Sequence, residues 1–67
     1  MTLEELYEGT EKRINVRKTE IAILVNQVNK SIDIIEMSSL MMELSFKKGG
    51  LADLEMLMEV LEEMING

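Results

Sequence analysis

The side chains of this chain that could do chemistry are its carboxylates. Glu55 and Glu59, and Glu59 and Glu63, are spaced i,i+4, while Glu59 and Glu62 are spaced i,i+3. On a helix each of these pairs shares a face. Such a pair could hold Ca²⁺ or Mg²⁺ weakly, but those ions prefer sites richer in oxygen ligands. The neighbours Glu4-Glu5 and Glu62-Glu63 point about 100° apart on a helix and do not converge. Serines and threonines are present, but the chain has no His to activate them and no Cys. Gly49-Gly50 has no Gly-Lys-Ser/Thr after it and no strand pattern before it, so it does not read as a phosphate loop. The expectation is a protein that is not an enzyme, with no catalytic residue, cofactor or metal.

The elements that would carry these residues are helices. The chain has 67 residues, 46% of them hydrophobic, with no Pro and four Gly. That content is too apolar for a disordered acidic tail, despite a net charge of −6. Thr2-Leu3-Glu4-Glu5 reads as a capping box opening a helix. Gly9-Thr10 is a soft spot, at which a short helix over 3–9 either ends or runs on. From Glu11 to Phe46 no Gly or Pro intervenes. Tyr7, Ile14, Ile21, Val28, Ile35 and Met42 recur every seven residues, with Val25, Ile32 and Phe46 as companions. This is the seam of a helix packed along another helix. The spacing predicts one long helix over about 11–46, with Ser38-Ser39 a candidate bend.

Lys47-Lys48-Gly49-Gly50 resembles a helix end, with cations at the negative pole and Gly for a left-handed cap. Leu51, Leu54, Met58, Leu61 and Ile65 then form a stripe on a second helix, 51–65. The expected fold is all-α: a single domain over 1–67, a lopsided helical hairpin turning at Gly49-Gly50. A last helix of that length leaves the 14–28 segment unpaired. A chain this small, without disulfides or a His/Cys metal site, tends to need oligomerisation. A homodimer with a coiled-coil-like four-helix core is therefore expected, with Ile14, Ile21, Leu24, Val25, Val28, Ile32 and Ile35 as the self-association residues.

Charge is distributed unevenly. Residues 1–10 and 51–67 carry only acids, whereas Lys12, Arg13, Arg17 and Lys18 form a basic cluster. Opposite charges of this kind could bring the acidic last helix of one subunit to the basic segment of the other. The basic cluster is short, lacks interleaved aromatics and belongs to an acidic chain, so direct nucleic-acid binding is not expected. The longest apolar run, residues 21–25, is far short of the ~20 residues of a membrane span. With no targeting pattern at the acidic N-terminus, a cytoplasmic protein is expected.

The most informative composition is methionine. Met37, Met41, Met42, Met56, Met58 and Met64 cluster in the second half, and Met is frequent on adaptable binding surfaces. The functional expectation is a small non-catalytic regulator, adaptor or inhibitor that binds a protein partner. Met41, Met58, Asp53, Glu55, Glu59, Glu62 and Glu63 are its candidate partner-binding residues. A phage-type acidic inhibitor, mimicking nucleic acid in the manner of anti-CRISPR proteins, is the alternative, and a secretion-type co-chaperone is a further one. Gly50-Leu51-Ala52-Asp53-Leu54-Glu55-Met56-Leu57 resembles the inter-helix turn of the small helical-hairpin aspartyl-phosphate phosphatases that regulate sporulation. Their Ser-Gln-Glu-Leu-Asp signature is absent, with Glu59-Val60-Leu61-Glu62-Glu63 in its place. The size and two-helix layout are similar to those of small acidic co-chaperones of type III secretion.

Overall fold

A computed structural model describes all residues 1–67. Two helices make up the chain: α1, Leu3–Lys30, and α2, Ile34–Asn66. They pack antiparallel into a rod of 50 × 16 × 14 Å.

α1 begins as its first residues dictate. The Thr2 hydroxyl accepts the Glu5 N–H at 3.1 Å, and the same hydroxyl donates to the Glu5 carboxylate at 3.4 Å. Glu4 and Glu5 lie in the first turn, where the helix dipole favours anions. Gly9 does not break the helix. Thr10 is buried within it, and its hydroxyl donates to the Leu6 carbonyl at 2.8 Å.

The hairpin turns at Ser31-Ile32-Asp33, which corrects the expected helix over 11–46 and the expected turn at Gly49-Gly50. The reason lies in capping chemistry two residues apart. The Ser31 N–H closes α1 on the Val28 carbonyl at 3.2 Å, and its hydroxyl donates to the Asp33 carbonyl at 3.3 Å. Asp33 is the N-cap of α2: its carboxylate accepts the Ile35 N–H at 2.9 Å. The β-branched Ile32, Ile34 and Ile35 around this point also weaken a continuous helix. Ser38-Ser39 causes no break in α2.

Gly49 and Gly50 lie inside α2, and neither adopts the positive φ of a helix cap. Each costs about 1 kcal/mol relative to Ala in a helix interior. The apolar seam overrides that cost by running through them in phase. Met37, Leu44, Leu51 and Met58 form one heptad series, and Leu40, Leu54 and Leu61 belong to the other; all are buried or half-buried. In α1 the matching series are Tyr7, Ile14, Ile21 and Val28, and Thr10, Arg17, Leu24 and Ser31. The companion series therefore runs through Leu24, one residue from the expected Val25.

The core is thin. Only Ile14, Leu24, Leu61 and Thr10 are buried. Halfway along, the seam turns polar: Lys47 Nζ donates to Glu20 at 2.6 Å, Arg17 pairs with Glu20 at 3.5 Å, and Arg17 crosses over Gly50. A Cβ on Gly50 would lie 3.9 Å from Arg17 Nε.

Candidate functional site

α2 has two apolar faces. One is the seam. The other comprises Ile35, Met42, Phe46, Met56 and Val60, at the heptad positions turned away from α1, and each is more than half exposed. Phe46 is 83% exposed. Gly49 sits in the middle of this stripe, with nothing within 4 Å of a Cβ placed on it. Met64 and Met41, also more than half exposed, flank it. The face is long, apolar and unpartnered within the chain, which is the ordinary mark of an interaction surface.

The two helices differ at their backs. The α1 positions that correspond to Ile35, Met42, Gly49 and Met56 hold Glu5, Lys12, Thr19 and Asn26, all exposed, whereas those that correspond to Phe46 and Val60 hold Val16 and Ile23, which are themselves more than half exposed. Apolar exposure continues at the turn, where Ile32 is fully exposed and Ile34 and Ile35 are mostly so.

Charge is sorted along the rod. Because the helices run antiparallel, both chain ends lie at one pole, where the Tyr7 hydroxyl donates to Glu62 at 3.2 Å. Glu4, Glu5, Glu8 and Glu11 thus join Glu55, Glu59, Glu62 and Glu63, with no Lys or Arg in either segment. The hydrogen bond to Glu62, and then its charge, raise the Tyr7 pKa above 10.0. Next along the rod come Lys12, Arg13, Arg17, Lys18, Lys47 and Lys48, opposed by Glu20 and Asp53. The Lys47 hydrogen bond holds the Glu20 carboxyl below its ordinary value of 4.5, helped by the charges of Lys47 and Arg17 and opposed by burial. A shallow groove of about 560 Å³ lies on this belt, lined by Lys12, Arg13, Arg17, Asp53 and their apolar neighbours. The acidic and basic segments expected to meet across two subunits thus already lie side by side in one chain.

The residues expected to self-associate are dispersed. Ile14 and Leu24 are buried against α2, and Ile21 and Val28 are half-buried in the same seam. Val25 lies at its exposed edge, while Ile32 and Ile35 are exposed at the turn. Of the partner-binding candidates, Met58 is half-buried in the seam; Met41, Asp53, Glu55, Glu59, Glu62 and Glu63 are exposed. No three carboxylates converge into a metal-holding cluster. No helix is long and apolar enough to cross a membrane.

Compared with protein-family models, curated proteins and solved structures, the chain matches none. The outer face of α2 was missed in the sequence because Ile35, Met42 and Phe46 continue the heptad count of α1 and read as its seam. The signal was the shift of phase at Met37, which begins the true seam of α2. The joint acidic pole was missed because it requires knowing that the two ends meet.

Proposed function

We propose that the chain is a non-catalytic protein-interaction module: a small regulator, adaptor or inhibitor that works as a homodimer. The observation that carries this reading is the exposed apolar face of α2, backed by a thin core in which only Thr10, Ile14, Leu24 and Leu61 are buried. Binding would bury Ile, Met and Phe side chains at about 25 cal/mol per Å² before the costs of association. Methionines suit such a surface, because their unbranched thioether chains adapt to a partner's shape. The acidic pole would contribute orientation and on-rate.

A second reading draws on the pole itself. Eight carboxylates gathered at one end suit a phage-type inhibitor that occupies the nucleic-acid groove of a basic enzyme. A secretion-type co-chaperone rests on size and two-helix layout alone.

Affinity capture from the source cell separates the first two, using three baits: wild type, Met42→Gln with Phe46→Gln, and Glu55, Glu59, Glu62 and Glu63 all→Gln. The interaction-module reading expects the apolar variant to lose its partner and capture to survive 0.5 M salt. Loss with the carboxylate variant, together with steep salt sensitivity, selects the mimic instead. Capture that neither variant affects overturns both.

A further inference from the structure

We infer that the occupant of the outer face of α2 is a second copy of this chain, running antiparallel about a two-fold axis at Gly49. This rests on the interaction-module reading and specifies the face and geometry of its self-association. The two copies would order their helices α1, α2, α2, α1 across the assembly.

Area makes the case for a partner of this size. A compact monomer of 7.7 kDa exposes about 4,300 Å², whereas this chain exposes 5244 Å². The excess, roughly 900 Å², is close to the ~800 Å² that each side contributes to a standard interface. Most of the exposed large apolar side chains lie on α2. A helix apolar on opposite faces is stable when covered on both, and α1 covers only one. The position directly behind the seam of α1, with Glu5, Lys12, Thr19 and Asn26, is polar, as suits an outer helix.

Symmetry selects a second copy. Gly49 lies within one residue of the midpoint of α2, so an axis there overlaps the two helices along their full length. The stripe is largely self-complementary about that point: Met42 meets Met56 of the other copy, and Ile35 meets the aliphatic stem of Glu63 at the end of the overlap, beside Met64. Phe46, one turn from the axis, covers the other copy's Gly49. The two glycines are thereby distinguished. Gly50 accommodates Arg17, whereas Gly49 has no neighbour in its own chain, and its bare backbone permits a close helix approach. Asp53, the charged residue nearest the axis in this stripe, lines the groove that also holds Lys12, Arg13 and Arg17.

Charge selects the direction. A parallel pair would set two poles of eight carboxylates side by side. An antiparallel pair places each acidic pole beside the other copy's turn, with the poles separated by the 50 Å rod, several times the ~8 Å Debye length of physiological salt.

The test is sedimentation equilibrium of the full chain from 1 to 500 µM, with helicity followed by circular dichroism. Wild type should have twice the chain mass. Met42→Glu with Phe46→Glu should be monomeric and still helical, since both side chains are exposed in the hairpin. Gly49→Leu should raise the dimer dissociation constant at least tenfold, yet raise the melting temperature in dilute, monomeric solution. Gly49→Cys should cross-link to itself on oxidation. Met42→Cys should cross-link only when mixed with Met56→Cys. A monomeric wild type, a dimer indifferent to the Glu variants, or self-cross-linking of Met42→Cys overturns the proposal. A monomer that still captures a foreign protein through Met42 and Phe46 overturns it, and the homodimer with it, while leaving partner binding through this face intact. A dimer that captures nothing does the reverse.

Discussion

α1 and α2 share one seam and differ in what they show to solvent. Directly behind the seam α1 carries Glu5, Lys12, Thr19 and Asn26, whereas α2 carries Ile35, Met42, Gly49 and Met56; beside that position both helices expose apolar side chains, Val16 and Ile23 on α1 and Phe46 and Val60 on α2. The same heptad physics therefore yields a helix polar directly behind its seam in one case and a helix apolar there in the other. The seam makes the hairpin, and the outer face of α2 takes no part in it. Glycines mark the same contrast. Gly9, on α1, and Gly49, on α2, both stand in open space, but only Gly49 interrupts an apolar stripe.

The largest effect should come from the seam. Leu61 is the most buried residue at 2% exposure, and Leu61→Ala should cost about 2–4 kcal/mol. In so thin a core that should abolish the cooperative transition in urea. The matching change on the other face, Phe46→Ser, touches no packed neighbour and should move the stability of the monomeric hairpin by less than about 0.5 kcal/mol. Equal effects from the two changes would erase the distinction between the faces.

The turn comes next. Asp33→Ala removes the cap of α2 and should cost about 1 kcal/mol, read as a lower thermal midpoint with helicity preserved at 5 °C. A neutral result would show that seam pairing sets the turn without the cap. Smaller again, Gly9→Ala should stabilise by roughly 0.5–1 kcal/mol at every protein concentration. Gly49→Leu should help only in dilute solution, and identical concentration behaviour at the two sites would remove the difference between the helix backs.

The smallest effect is the pH dependence. Glu20 has its pKa lowered on folding by Lys47, so its contribution is present above its ordinary value of 4.5 and lost as pH falls through the depressed one. Tyr7 has its pKa raised by Glu62, so its contribution holds below 10.0 and is lost as pH rises through the higher value. Glu20→Gln should flatten the acid limb of the stability profile, and Tyr7→Phe the alkaline limb.

The start of α1 was legible down to its cap, because Thr2 and Glu5 interact within one turn. Whether α1 runs through Gly9-Thr10 was left open by the sequence, and the structure settles it as one continuous helix. The turn was not legible. Tyr7, Ile14, Ile21 and Val28 are followed at the same interval by Ile35 and Met42, so a three-residue turn left the count unbroken. Lys47-Lys48-Gly49-Gly50 meanwhile offered a more conspicuous, and wrong, stopping point. The true seam of α2 was visible as two separate stripes, before and after the glycines, whose common phase went unused.

Local chemistry in the sequence determined that the chain is helical, where its first helix begins and which side chains are available. Tertiary pairing decided the rest. A turn at Gly49-Gly50 would have matched a short helix to half of a long one. A turn at Ser31-Ile32-Asp33 matches 28 residues to 33, so that both seams are covered along almost their whole length. That gain outweighs two glycines in a helix interior. It also carries the remote consequences: the two acidic ends meet at one pole, the cations form a belt, and Met42 and Phe46 are turned out of the core onto the open face.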